Sequence, residues 1–193
     1  MSAVCIAAGI GAFVLFIIYD VNSVCNGSGV LRSAFFAGII LLAVATGGLL
    51  YTGWECRHGV WTVFFMGLAA VFLLLLIYTL FFALPFDDTY VKNNENPEVC
   101  SDGVYALCRH PGILWFAGMY ACFAAALPQA SMILGCVIFI ICNVLYAVMQ
   151  DIWTFPKCFS EYDSYKKNTP FILPTGSSII RCIRTIRPER KQL

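Results

Sequence analysis

The residues able to do chemistry gather at the edges of apolar sequence. Arg109-His110-Pro111 opens an uncharged run that ends at Gln150, and Asp151 follows at once. A guanidinium offers five donors in a fixed fork, an imidazole donates or accepts, and a carboxylate accepts. Such groups at the mouth of a helical bundle can hold a polar or charged ligand, and ionisable residues at a membrane edge are functional candidates by default. Two structural readings compete. Arg109 and His110 can mark the membrane boundary by snorkelling to headgroups, or Arg109 can pair with Asp151 and simply close the run.

The run from Pro111 to Gln150 is too long for one helix across a hydrocarbon core of about 30 Å. Leu127-Pro128-Gln129-Ala130-Ser131 interrupts it, so it reads as a hairpin of two spans, 111–127 and 131–150. A hairpin returns the chain to the side it left. Arg109-His110 and Gln150-Asp151 should therefore face each other, with Pro111 in a first helical turn where its missing N–H costs nothing.

Upstream, three further spans are expected at 2–19, 33–54 and 60–84. The first has no basic segment before it and no clear small-residue cleavage site, which favours a span over a signal peptide. Thr46-Gly47-Gly48 in the second permits close helix contact. Turn residues from Asp20 to Gly29 predict a loop, Glu55-Cys56-Arg57-His58 a short polar loop, and Pro85 to Asp102, with Asp87, Asp88, Glu95 and Glu98, a solvated loop or short interfacial helix. His58 has no companion at ligand spacing, so no metal site is expected. No span is expected to hold a buried charge, which argues against an ion path, transporter or scaffold role.

Composition agrees with this organisation. Of 193 residues, 60% are hydrophobic and 12% charged, with a mean hydropathy of +0.80, far from a soluble domain. The expected fold is all-α, a single polytopic membrane domain over 1–193 with about five transmembrane helices. Long continuous apolar runs without period-two alternation exclude a membrane barrel. Eight of the twelve Lys and Arg residues lie between Lys157 and Lys191, which predicts a cytoplasmic C-terminus and, with an odd number of spans, an outside N-terminus. No nucleic-acid motif accompanies them, so nucleic acid is not an expected partner; the lipid bilayer is, and oligomeric state is not readable. The ten cysteines form no Cys-x-x-Cys pair and read as reduced, small hydrophobes. The Arg-Lys-Gln-Leu ending carries no prenylation box.

After Asp151 the sequence turns amphipathic and aromatic, with Trp153, Phe155, Phe159, Glu161, Tyr162, Tyr165, Lys166 and Lys167. The segment 151–174 predicts a cytoplasmic interfacial helix roofing the hairpin mouth, ended by Thr169-Pro170 and Leu173-Pro174. In the tail, 175–193, Arg181, Arg184, Arg187 and Arg190 recur every third residue among Ile180, Ile183 and Ile186. That pattern suits either a basic helix on anionic lipid or a solvated tail.

Gly103-x-Tyr105-x-x-x-Arg109-His110-Pro111, Gly118 and the distal Glu161-Tyr162-x-x-Tyr165 before Pro174 together resemble the integral-membrane methyltransferases of the isoprenylcysteine carboxyl methyltransferase and phospholipid N-methyltransferase group. The likeness covers roughly Pro97 to Pro174. It implies a site enclosing S-adenosylmethionine on the cytosolic side, built from Tyr105, Arg109, His110, Pro111, Gln150, Asp151, Glu161, Tyr162 and Tyr165, with Arg109, His110 and Asp151 nearest the chemistry and a lipophilic acceptor arriving from the bilayer. Arg109 suits the cofactor's carboxylate and Asp151 its ammonium. The family's Tyr two residues after the Pro is Ile113 here, and its Glu pair is Gln150-Asp151.

The competing functions are an NADPH-dependent reductase of the sterol or steroid type, which shares the Arg-His-Pro turn but is generally longer, and an inactive relative. The methyl acceptor, whether an isoprenylcysteine-like carboxylate or a lipid amine, is not legible in the residues.

Overall fold

The computed structural model describes residues 1–25, 27–83 and 99–186. The acidic stretch from Asp87 to Glu98, the end of the third span at Leu84, and Arg187 and Arg190 lie outside the described residues. All regular structure that is described is helical: α1 (Ser2–Cys25), α2 (Gly29–Gly53), α3 (Val60–Phe81), α4 (Val104–Leu107), α5 (Pro111–Ala126), α6 (Ala130–Met149), α7 (Phe155–Cys158), α8 (Tyr162–Asn168) and α9 (Gly176–Ile186). A 3-10 turn follows α2 at Trp54–Cys56, and a π turn joins α6 to α7 at Gln150–Thr154.

Four helices are long and apolar enough to cross a membrane: α1, α2 with its 3-10 turn, α3, and α6 with the segment after it. Their large apolar side chains point outward as much as inward. Val63, Phe64, Val71, Leu74 and Tyr78 are all exposed on α3, an arrangement that only an apolar surrounding medium tolerates over so large an area. With 16 residues, α5 is shorter than the roughly 20 that span a bilayer.

Contacts between helix ends nonetheless show α5 running the whole way between the two ends of the bundle. At one end, Thr62 Oγ at the start of α3 donates to the Ala126 carbonyl at 2.9 Å, and Gly53 at the end of α2 lies against Leu127. At the other end, Trp115 Nε1 donates to Thr79 Oγ at 3.0 Å and Gln150 reaches Asp20. Among the described residues, α1, α2, α3, α5 and α6 all run between these two ends.

The core is where these helices cross. Tyr120 is enclosed by Phe116 and Phe139, at centroid separations of 4.5 and 5.6 Å, and its hydroxyl meets Thr46 Oγ at 2.6 Å. Small residues set the spacing. A Cβ at Gly118 would stand 2.7 Å from the Phe72 ring, so α5 approaches α3 through a glycine. Gly48 lies directly against Cys5 in the same way. The ten cysteines are free.

Three features differ from the reading of the sequence. The loop expected from Asp20 is instead the last turns of α1, because the buried stripe Gly9, Phe13, Phe16 continues at helical spacing to Asp20. Asn22 then closes the helix from its side chain: Oδ1 accepts from Ser28 N–H and Nδ2 donates to the Ser28 carbonyl, both at 3.0 Å, and Gly27 supplies the positive φ. Second, a charge-bearing residue is buried in a long apolar helix after all, since Asp20 is only 4% exposed. Third, the segment after Asp151 is not one interfacial helix; it breaks at Phe159, whose backbone is extended, into the π turn, α7 and α8.

Candidate functional site

Three chain segments build the site. Gly103, at φ 58°, starts α4, a conformation glycine adopts without penalty. Cys108 is extended, and Arg109 and His110 donate their N–H groups to the carbonyls of Pro170 and Phe171 at 2.9 and 3.2 Å. This short pairing fixes the Arg-His dipeptide against the far end of the chain before Pro111 begins α5. The third segment is the π turn, which carries Asp151.

Asp151 is the centre of the site. Its carboxylate accepts Arg109 Nε at 2.7 Å and Nη2 at 3.1 Å, a two-point fork, and accepts Tyr162 OH at 2.6 Å. Lys166 Nζ stands 3.2 Å from Oδ2 and donates to the Asp151 carbonyl at 3.1 Å. Arg109 Nη1 donates to the carbonyls of Lys166 and Thr169 at 3.1 and 2.7 Å. Four bonds thus engage all but one of the guanidinium's N–H groups, and its carbon lies 5.5 Å from the centre of the Phe171 ring.

His110 is enclosed beside this network. Its ring stacks on Phe155 at 5.6 Å, nearly parallel, and meets Phe171 edge-on. Nε2 is buried without a hydrogen-bond partner, 3.5 Å from Asp151 Oδ1. Burial lowers its pKa to about 4 against the pull of Asp151, so the imidazole is neutral at pH 7. Burial, and then the Asp151 carboxylate, push the Tyr162 phenol well above its ordinary value, which keeps it a hydrogen-bond donor.

Other expected site residues are distributed around this centre. Pro111 is buried at the start of α5. Gln150 turns away from Arg109: its Nε2 donates to Asp20 Oδ2 at 2.9 Å, so adjacent residues of the π turn reach opposite neighbours. Tyr105 points its hydroxyl at the Thr79 carbonyl of α3 at 2.9 Å, and its own carbonyl accepts Tyr165 OH at 2.7 Å. Glu161 caps α8 from outside the network, exposed to solvent.

Glu161, Tyr165, Thr169, Ser101 and Arg181 line a polar cleft of ≈ 200 Å³ along α8. Two side-chain atoms of its lining residues, Thr169 Oγ and Arg181 Nε, are enclosed without a hydrogen-bond partner among the described residues.

Lys166, Arg181, Phe155, Phe171 and Asp20 do not stand out as site residues in the sequence. Lys166 carries a local signal, four residues after Tyr162 and hence on the same helix face; its Nζ lies 5.8 Å from that ring. Asp20 carries one in the helical spacing from Phe13 and Phe16. Arg181 and Phe171 carry none, because tertiary folding alone brings them here. Comparison with protein-family models, with curated proteins and with solved structures finds no match to this chain.

Proposed function

We propose that the chain is a membrane-embedded methyltransferase that uses S-adenosylmethionine and acts on a lipophilic acceptor. The observation that carries this reading is the polar cleft beside the Asp151 network, at the mouth of the α5–α6 hairpin, where a buried charge system adjoins apolar helices. The residues fit the cofactor's amino-acid end. Arg181 offers a guanidinium for a carboxylate, Glu161 an acid for an ammonium, and Tyr165 an aromatic ring. The cleft is smaller than the roughly 300–1,000 Å³ of a pocket for a whole drug-sized ligand, which also suits one end of the molecule.

The cofactor would supply an electrophilic methyl group on a sulfonium. The protein's contribution is to hold and align, since methyl transfer depends on proximity and on in-line approach. Arg109 ties Asp151 to the carbonyl end of α8, the helix along which the cleft runs. Lys166 adds an ammonium at Asp151 Oδ2 from a partly exposed side chain, so the protein's own cations satisfy this carboxylate and leave Glu161 as the acid facing the cleft. Neutral His110, stacked on Phe155 and met edge-on by Phe171, walls the Asp151 network on its apolar side without adding a charge to it.

Orientation belongs to the same proposal. Five passes, with the basic residues Lys157, Lys166, Lys167, Arg181 and Arg184 all at the Arg109 end, favour a cytoplasmic site and C-terminus and an outside N-terminus.

The test is equilibrium binding of S-adenosylmethionine and of NADPH to purified protein in nanodiscs. Saturable S-adenosylmethionine binding, weakened at least tenfold by Arg181→Ala together with Glu161→Gln, is the expected outcome. NADPH binding without S-adenosylmethionine binding would overturn it in favour of a reductase.

A further inference from the structure

Helix α9 is built inside out. Ser178 and Cys182 are buried, Thr185 Oγ accepts the Gly103 N–H at 2.8 Å, and Arg181 Nη2 donates to the Asn168 carbonyl, so its polar and small residues face the body of the protein. Ile179, Ile180, Ile183 and Ile186 recur at helical spacing on the opposite side and are all exposed, as is Leu173 just upstream. The usual amphipathic arrangement is the reverse. Polar contacts therefore commit one face to the fold and leave an apolar face, about a third of the helix circumference, without a protein partner among the described residues.

The charges beside that face indicate its occupant. Arg184 is exposed at its flank on the same helix; on α8, tied to α9 through Arg181 and the Asn168 carbonyl, exposed Lys167 is balanced by exposed Glu161 and Asp163. A strip of branched aliphatic side chains flanked by the Arg184 guanidinium on its own helix, on a chain whose long helices already suit a bilayer, matches the headgroup–acyl boundary of an anionic lipid surface.

We propose that α9 is a surface-seated membrane helix, its four isoleucines dipping into an anionic leaflet and Arg184 pairing with lipid phosphate. Because α9 also borders the cleft through Arg181 and grips Gly103 through Thr185, lipid charge then reaches the segment that leads to Arg109. This seating holds whether or not the cleft takes S-adenosylmethionine.

The experiment is hydrogen exchange, read by mass spectrometry over residues 176–186, of the full chain in nanodiscs of phosphatidylcholine alone or with phosphatidylglycerol. Exchange of α9 should be slowed in the anionic discs, and Arg184→Gln should return about a fivefold share of that slowing, the change equivalent to roughly 1 kcal/mol per basic residue at such a surface. Ile180→Ser with Ile183→Ser should abolish the slowing while leaving exchange over 111–149 unchanged, which shows the variant folded. Equal exchange in both kinds of disc, or slowing that survives the double serine change, would overturn the assignment. Slowing that depends on the isoleucines but not on lipid charge would overturn it too, in favour of a neutral or protein partner.

Discussion

Arg109 and Asp151 meet across 42 positions of sequence in a two-point fork, Nε to Oδ1 at 2.7 Å and Nη2 to Oδ2 at 3.1 Å, with side chains only 10% and 8% exposed. The pair ties the start of α5 to the end of α6, and Arg109 extends the tie to the last turn of α8. Removing one partner of a sheltered pair strands the other charge, which typically costs about 3–5 kcal/mol.

Asp151→Asn is therefore expected to lower stability in nanodiscs by roughly 3 kcal/mol, because Arg109 and Lys166 lose their shared counter-charge together. Arg109→Lys should cost less, since an ammonium keeps the charge but loses the fork and its carbonyl bonds. Thermal unfolding followed by circular dichroism measures both. A Tm for Asp151→Asn equal to that of the parent would mean that the network adds nothing to the fold.

Gly118→Ala is expected to destabilise by about 1–3 kcal/mol through overpacking. Its new methyl would press on the Phe72 ring, and α3 and α5 are long neighbours with little room to separate. Gly118→Ala combined with Phe72→Leu should recover much of the loss. Failure of the second change to rescue the first would show that the α3–α5 approach is not set at this contact.

Much of this site is legible before folding, and the reasons are local. A break at Leu127–Ser131 inside one long apolar run forces a hairpin, and a hairpin forces Arg109 toward Asp151. The π turn at Gln150–Thr154 is not legible, because it depends on how α6 settles against its neighbours, and it sends Gln150 to Asp20 instead of to Arg109. Asp20 misleads for a different reason: Asp, Asn and Gly in sequence signal a turn, yet here Asn22 uses its side chain to close the helix by reaching Ser28. The outward isoleucines of α9 are visible as a pattern, but which face the protein keeps is not.

The contact between Asp20 and Gln150 makes its own prediction. Asp20→Ala leaves the half-buried Gln150 amide without its acceptor and removes the partner of the Tyr146 side chain as well, a loss of about 1–3 kcal/mol. Asp20→Asn preserves an oxygen for that amide and should be nearly silent in Tm. If Asp20→Asn is as damaging as Asp20→Ala, the negative charge itself, rather than the hydrogen bond, holds the α1–α6 end together.

His110 gives the pH dependence. Its folded pKa of about 4 lies below the ordinary value of 6.5, so between those values the unfolded chain binds the proton more readily. Stability from this group is complete above about pH 6.5 and is lost as pH falls toward 4. The loss is at most roughly 3 kcal/mol, since each tenfold difference in proton affinity between the folded and unfolded chain is worth about 1.4 kcal/mol. His110→Phe keeps the stacking on Phe155 and should flatten that part of the Tm–pH curve. A curve unchanged by the substitution would assign the acid sensitivity to another group.

The proposed orientation is tested by cysteines that the fold places at opposite ends. Cys25, exposed, ends α1 at the Asp20–Gln150 end, whereas Cys56 closes the 3-10 turn at the end where α2 meets Leu127. Variants retaining only one of these thiols, in sealed cells, should differ with a membrane-impermeant maleimide: Cys56 labels from outside, and Cys25 labels only after the membrane is opened. The two results are linked by geometry, since α2 alone lies between the residues and one crossing must separate them. Labelling of Cys25 and not Cys56 from outside would invert the orientation while keeping the five passes, and would carry Arg109, Asp151 and the cleft to the outer face, where a cytosolic methyl donor cannot reach them. Labelling of both from outside would instead mean that α2 does not cross, which would remove the five-pass arrangement itself.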